Sequence, residues 1–176
     1  MEIVIRQEKV SDYKETEDVV RAAFAHEEMS DQTEHELVAR LRNSAAFQPQ
    51  LSLVAVENKR IVGHVLLTKI TIVNDQQVID SLALAPVSVL PEFQHNGIGK
   101  LLITQSLSKA KELAYDSVIV LGHPTYYPKF GFKPASLWGI QSPFEVPDNA
   151  FMAVELTENG LRNVSGIVEY STAFFS

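Results

Sequence analysis

The segment at 94–100, with the sequence QHNGIGK, combines residue types that suit the binding of an anion. Its glycines, Gly97 and Gly99, let a ligand approach the backbone closely and tolerate positive φ angles. The segment follows a strand-like run and opens a helical pattern, where free N–H groups and the helix dipole attract anions. Lys100 adds a positive charge. The pattern predicts that backbone amides bind a diphosphate; the alternative is a tight turn without a ligand.

Two other phosphate-binding motifs do not fit this segment. A Walker A loop needs an earlier glycine and a Ser or Thr after its Gly-Lys pair, whereas Leu101 follows Lys100 here. A dinucleotide-binding fingerprint needs a third glycine at position 102, which is Leu102. Both motifs are therefore excluded on the residues themselves.

The elements around the segment are predicted to form a β–α–β unit. Three β-rich runs at 51–57, 61–73 and 78–90 are separated by short polar turns, which favours an antiparallel meander. A helix is expected from the glycine segment to about Tyr115, and a compact apolar strand at 117–122 follows it. This order implies a parallel pair of strands. The other predicted elements are a strand at 3–6, helices at 12–25 and 33–42, a polar loop at 25–30, a long loop at 135–149 and a final strand at 151–157.

The third β-rich run contains a break in its alternation. Leu82 and Leu84 share one face, whereas Val87 and Val89 have the opposite parity. If all four side chains face the core, one extra residue is inserted near Pro86, which has no N–H for a ladder. We therefore predict a β-bulge whose unpaired backbone groups are available to a ligand. The alternative is that the strand ends before the proline.

Two segments resemble motifs of the GNAT acyltransferases. The residues at 89–99 are similar to motif A of that family, hydrophobic-x-P-x-x-[Q/R]-x-x-G-[hydrophobic]-[G/A], and the residues at 127–132 are similar to its Y-x-K-x-G-F segment. The order of predicted elements agrees over residues 3–134, and the stretch at 135–176 resembles the extended C-terminus of some bacterial small-molecule members. The motif A matches are Pro91, Gln94, Gly97, Ile98 and Gly99.

The resemblance implies a fold and an acyl donor. The fold would be α+β (a three-layer α/β arrangement), with a mixed, mostly antiparallel central sheet, helices on both faces and a cleft where the strands at 78–90 and 117–121 splay apart. Residues 1–176 would form a single acyl-CoA N-acyltransferase-like domain with a C-terminal extension at 135–176. The donor would be acetyl-CoA, with the backbones of Val89 and Leu90 bonded to its pantetheine arm. Its pyrophosphate would be held by the amides of Gln94, His95, Asn96, Gly97, Ile98, Gly99 and Lys100.

Direct acyl transfer needs a neutral amine and a proton for the leaving thiolate. By its resemblance to the family, Tyr127 is the expected general acid, although a phenol that only packs the Pro128 turn is the alternative. Tyr126 is the neighbour that can be mistaken for it. The base candidates are Asp80 on the strand that leads into the bulge, His123 after the strand at 117–121, and the loop carboxylates Glu27 and Glu28.

Composition excludes several classes of protein. The chain has 176 residues, no cysteine and a net charge of −7, so it carries no disulfide scaffold, thiolate metal site or Cys nucleophile. We also expect no metal site, because no His or carboxylate pair has ligand spacing. The acidic balance argues against nucleic-acid binding. Without a signal-peptide pattern or an apolar run of about 18–20 residues, we expect a cytoplasmic protein without membrane association.

The function predicted from these residues is an acetyl-CoA-dependent N-acetyltransferase that acts directly on a primary amine of a small molecule or peptide. A non-catalytic acyl-CoA-binding module and a partner-binding domain are the alternatives. The acidic segment at 1–43 would suit a cationic amine. Trp138, Phe144 and Tyr170 are candidates for an acceptor pocket, and a monomer or homodimer is expected. His64, inside an apolar strand, is expected to be half-buried and hydrogen-bonded.

Overall fold

Nine strands form one mixed sheet in the computed structural model, which describes residues 1–28 and 30–175. Met29, in the predicted loop at 25–30, and Ser176, at the end of the predicted extension, lie outside these residues. The strands are β1 (Ile3–Gln7), β2 (Phe47–Glu57), β3 (Arg60–Val73), β4 (Val78–Val89), β5 (Ser117–Leu121), β6 (Lys133–Pro134), β7 (Ile140–Gln141), β8 (Phe151–Glu155) and β9 (Gly166–Glu169).

The sheet is mostly antiparallel, and the predicted meander is confirmed. β1 pairs with β2, β2 with β3 and β3 with β4, all in antiparallel register. β4 and β5 form the predicted parallel pair, and β8 and β6 continue the sheet beyond β5. Among the described residues, only Ala83 of β4 and Ile119 of β5 are aligned with each other. The two strands therefore separate soon after they meet.

Helices cover both faces of the sheet, as predicted. Successive side chains of a strand point to opposite faces. Leu66 of β3 packs against Val20 and Val38 of the first two helices, whereas Gly63 faces the third helix, where an added Cβ would lie 3.0 Å from Leu102. No helix of the described chain is long and apolar enough to cross a bilayer. The helices are α1 (Tyr13–Phe24), α2 (Glu34–Arg42) and α3 (Ile98–Glu112).

The start of α1 differs in detail from the prediction. A 3-10 turn at Val10–Asp12 precedes the helix, and the Asp12 carboxylate accepts a 2.8 Å hydrogen bond from the Lys9 N–H. The same carboxylate forms an ion pair with Arg6 at 2.7 Å. Asp12 therefore caps the turn that leads into α1 and attaches it to β1.

The C-terminal region contributes more to the sheet than the sequence indicates. The predicted loop at 135–149 contains β7, and the strand predicted as the last one, β8, is followed by β9. β9 pairs with the end of β3, with Val168 opposite Ile72, beyond the stretch that β2 covers. Val168 and Ile72 are buried together with Leu161 and Phe151 in a second apolar cluster. The extension thus closes a core of its own against the sheet.

Candidate active site

A cavity of about 490 Å³ lies between the end of β4, the start of α3 and the chain after β5. Every residue of the predicted ligand segment at 94–100 except Asn96 lines this cavity. From the neighbouring elements the cavity is lined by Val87, Val89, Phe93, His123, Tyr126 and Tyr127.

A β-bulge shapes the β4 wall of this cavity. Val65 of β3 is opposite Val87, and Leu67 is opposite Leu84, so β4 has one residue more than β3 in this interval. This confirms the predicted bulge near Pro86. Because the bulge reverses the parity of the strand, Val87 lines the cavity, a position that the change in alternation marks in the sequence.

Beyond the bulge, the structure shows which backbone groups of β4 point toward the gap and which are bonded to β3. The Leu90 N–H donates to the Val62 carbonyl at 2.9 Å, so Leu90 belongs to the β3–β4 ladder and does not line the cavity. Because backbone groups alternate in direction along a strand, those of Val87 and Val89 face away from β3, toward the gap. The Val89 carbonyl accepts a 3.1 Å hydrogen bond from Gln94 Nε2. Val87 and Val89, and not Leu90, therefore direct backbone groups toward the gap.

The loop before α3 presents consecutive free amides. Among the described residues, no N–H from His95 through Lys100 has a hydrogen-bond partner, and the first bond into the helix runs from the Leu101 N–H to the Gly97 carbonyl at 3.1 Å. His95 and Gly97 have positive φ angles of 66° and 79°. Asn96 Nδ2 donates to the carbonyls of Phe93 and Gln94, both at 3.2 Å, and so supports the loop with its side chain. These amides make the loop suited to an anion.

The two glycines of the loop leave room above it. An added Cβ on Gly97 would meet nothing within 4 Å, whereas one on Gly99 would lie 3.4 Å from the Tyr126 hydroxyl and 3.9 Å from a Val89 methyl. The Tyr126 hydroxyl therefore stands at the first turn of α3. The exposed side chain of Lys100 forms no ion pair with any described residue.

Tyr127 is buried at the inner end of the cavity. Its ring packs so closely on Gly122 that any Cβ there would collide with it, and it meets the rings of Phe132 and Tyr126 edge-on at 5.7 and 5.2 Å. Burial raises the pKa of Tyr127 to about 12 and also raises the pKa of Tyr126. Both phenols therefore keep their protons at neutral pH.

The structure brings only some of the predicted base candidates to the cavity. His123 and Glu27 line it, and both are exposed, whereas Glu28 does not line it. Asp80 lies opposite Thr71, seven residues before Val87 and roughly 20 Å away along the strand. Its side chain is exposed; burial raises the pKa of Tyr115, and the charge of Asp80 adds to that effect. Asp80 is therefore out of reach of the cavity.

A second cavity of about 260 Å³ is lined by residues of β4 and β5. Phe144 and Tyr170 line it, as the sequence analysis suggests for an acceptor pocket, but Trp138 packs at the edge of the second apolar cluster instead. No group of three or more His, Asp or Glu side chains in the described ranges is arranged to hold a metal ion. The remaining lining residues are Leu37, Ala83, Leu84, Ala85, Ile119, Leu121, Phe174 and Phe175.

A family model, a relative of known sequence and two solved structures all indicate the family that the sequence motifs resemble. The model of the acetyltransferase (GNAT) domain matches residues 4–135. The uncharacterized N-acetyltransferase YjhQ of Escherichia coli is 34% identical over 139 residues, 78% of this chain and 74% of that protein.

Two solved structures cover 98% of this chain. YhbS of Escherichia coli, a GNAT family N-acetyltransferase crystallised with CoA, is 25% identical with a TM-score of 0.88 over 91% of its own chain. A GNAT family acetyltransferase from Brucella melitensis in complex with acetyl-CoA is 31% identical with a TM-score of 0.81 over 98% of its own chain. The predicted α+β fold and the family resemblance are thus confirmed, and the chain belongs to the GNAT acetyltransferase family.

Proposed function

We propose that this protein is an N-acetyltransferase that transfers the acetyl group of acetyl-CoA directly to a primary amine of a small molecule or peptide. The observation that carries the proposal is one cavity with a row of free amides at a helix start and a split between two strands. Further support comes from the similar Escherichia coli and Brucella melitensis structures, which contain CoA and acetyl-CoA.

The residues of the cavity fit the chemical groups of acetyl-CoA. The free amides from His95 to Lys100 suit the pyrophosphate, and the absence of a side chain at Gly99 leaves room for it above the first turn of α3. The backbone groups of Val87 and the N–H of Val89, which face the gap, suit the amides of a pantetheine arm, which would lie beside β4 as an added strand does; the Val89 carbonyl is already bonded to Gln94. Asn96 would act by supporting the loop.

When bound, acetyl-CoA supplies a thioester, whose C–S bond breaks as the amine nitrogen forms a C–N bond, while the amine loses a proton and the sulfur gains one. Tyr127 Oη holds a proton at neutral pH, because burial raises its pKa to about 12, and it is the proposed donor to the sulfur. His123 and Glu27, which line the same cavity, are the proposed acceptors of the amine proton.

Substitution of Tyr127 by Phe tests the proposal, because it removes only the hydroxyl. We expect thiol release from acetyl-CoA, with a panel of amines, to fall by at least about a hundredfold. CoA at about 100 times its Kd should still stabilise the variant by about 2.7 kcal/mol in thermal unfolding. Tyr126→Phe is the matched control and should keep its transfer rate.

The alternatives give different results in the same assays. A wild-type protein that CoA stabilises, but that transfers acetyl to none of the amines, would be a non-catalytic acyl-CoA-binding module. The absence of any stabilisation by CoA would leave a partner-binding domain. Unchanged transfer by Tyr127→Phe would exclude the hydroxyl as the acid, and a loss in Tyr126→Phe alone would move that role to the neighbouring phenol.

A further inference from the structure

The second cavity, of about 260 Å³, borders the split between β4 and β5. Ala83 and Ile119, which align the two strands, both line it, and so does Ala85 on the bulge. Val87, two residues after Ala85, lines the first cavity instead. A reactive group that extends from the first cavity into the split therefore arrives beside the second.

Four aromatic side chains from the C-terminal region form the wall of this cavity opposite the strands. Phe144 stacks on Tyr170 with ring centroids 6.2 Å apart and an interplanar angle of 18°. Phe175 meets Phe144 edge-on at 5.5 Å, and Phe174 meets Tyr170 edge-on at 5.0 Å. Edge and face contacts of this kind are the ones that aromatic rings favour. The wall thus offers both edges and faces to a further ring.

Part of this aromatic wall remains exposed to water. Phe144 is 49% exposed and Phe175 is 59% exposed, although large apolar side chains are more stable when covered. All four wall residues lie beyond residues 4–135, the range that matches the family model. The wall is therefore a feature of the C-terminal extension of this chain, and it would gain free energy from an apolar ligand that covers it.

The lining contains no charged side chain among the described residues. A separate depression that shares Leu37 and Phe174 with the cavity is lined by Asp31 and Glu34, but among the described residues of the acidic segment at 1–43 only Leu37 lines the cavity itself. A multiply charged amine would lose hydration there without gaining an ion pair. In contrast, apolar surroundings favour the neutral form of a single amine, which is the form that attacks a thioester.

The volume limits the size of the ligand. A cavity of about 150 Å³ lined by apolar side chains is large enough to bind benzene. The second cavity, at about 260 Å³, therefore has room for one aromatic ring and a short chain. It is smaller than the range of about 300–1,000 Å³ that is usual for drug-sized ligands.

We infer that the second cavity binds the acceptor and that this acceptor is a small arylalkylamine, a primary amine on a short chain from an aromatic ring. The ring would contact the wall formed by Phe144, Tyr170, Phe174 and Phe175, and the amine would face the split between β4 and β5. The inference rests on the proposed function, because an acceptor requires acetyl transfer. The preference of the cavity for an aromatic amine, however, can be measured by binding without any transfer.

Direct binding measurements test the inference independently of catalysis. Calorimetric titration without acetyl-CoA would compare 2-phenylethylamine, hexylamine and spermidine as probes. We expect 2-phenylethylamine to bind at least about tenfold more tightly than either aliphatic amine, a difference of about 1.4 kcal/mol. Phe144→Ala and Phe175→Ala should each weaken its binding several-fold. Leu137→Ala, which shortens an exposed apolar residue of the same extension outside the cavity, should not change it.

The outcomes separate this inference from the proposed function. If 2-phenylethylamine does not bind, if spermidine or hexylamine binds as well, or if the two Phe variants bind like the wild type, the inference is overturned even when acetyl transfer is observed. If the ring-dependent binding is present but thiol release is absent with every amine, the cavity assignment stands and the acetyltransferase proposal fails.

Discussion

His64 shows at the scale of one residue how a buried polar group links the fold to pH. The sequence suggests a half-buried histidine, but its side chain is fully buried. Its Nε2 lies 2.9 Å from Ser52 Oγ, which donates to Glu8 at 2.7 Å, and Glu8 forms a 2.6 Å ion pair with Arg42. The other ring nitrogen, Nδ1, has no partner among the described residues. The imidazole is therefore a neutral donor that completes this network.

The burial of His64 predicts a loss of stability in mild acid. Desolvation lowers its pKa from 6.5 to about 4, so the unfolded chain binds a proton at a higher pH than the folded protein does. Its contribution to the free energy of unfolding is complete above pH 6.5. It is lost as the pH falls toward 4, by about 3 kcal/mol in all. Urea unfolding at a series of pH values between 7.5 and 4 measures this change.

His64→Gln is the control for that measurement, because it keeps a polar side chain that does not titrate. Carboxylates titrate in both proteins, so the comparison is between their slopes against pH and not between their absolute stabilities. We expect a shallower slope for the variant between pH 6.5 and 4. Equal slopes would mean that His64 does not contribute to the acid sensitivity.

At the scale of an element, the start of α3 contains two glycines that are needed for different reasons. Gly97 has a φ of 79°, which disfavours any L side chain, but an added Cβ would meet nothing within 4 Å. Gly99 lies inside the helix, and a Cβ there would enter the cavity, 3.4 Å from the Tyr126 hydroxyl. The first glycine thus serves the backbone conformation, and the second serves the space for a ligand.

The substitutions Gly97→Ala and Gly99→Ala form a matched pair that tests this division. We expect Gly97→Ala to lower the free energy of unfolding by about 1–2 kcal/mol because of its left-handed backbone. Gly99→Ala should not destabilise the protein, since Ala favours a helix, but it should weaken CoA binding several-fold. Urea unfolding and calorimetric titration with CoA measure the two effects. A Gly99→Ala variant with wild-type affinity would contradict the assignment of this site.

The elements also show which features could be predicted from the sequence. The meander, the bulge near Pro86 and the helix after the glycine loop are encoded by alternation, turn residues and breaks within a few positions of one another. The change in alternation marks Val87 and Val89, but the bond from the Leu90 N–H to the Val62 carbonyl, which removes Leu90 from the cleft, depends on the pairing with β3. β9 is only four residues long and is held by β3, so its signal is also distant in sequence.

In the candidate site, too, some features could be predicted from the sequence and others could not. The amide loop is contiguous and could be predicted as a unit, although the supporting role of Asn96 depends on its side-chain hydrogen bonds. Asp80 has a suitable residue type, but its distance from the cavity is set by the direction in which β4 runs. The pocket wall joins Phe144 to residues 170–175, which are brought together only by the packing of the extension.

At the scale of the whole molecule, the two cavities adjoin one split in the sheet, and this arrangement favours a reaction in which donor and acceptor are bound together. The first cavity carries the amide loop and the second carries the aromatic wall. The chain has no cysteine to accept an acetyl group as a thiolate. Both features support direct transfer over a covalent acetyl-enzyme.

Direct transfer predicts a ternary complex. Initial rates measured at several fixed concentrations of amine, with acetyl-CoA varied, should give intersecting double-reciprocal lines, because neither product leaves before both substrates have bound. Parallel lines would indicate a covalent step. Mass spectrometry of the protein incubated with acetyl-CoA alone provides the independent check. An added acetyl group that a later addition of amine removes at the rate of turnover would contradict direct transfer, whereas an unmodified chain that turns over with amine supports it.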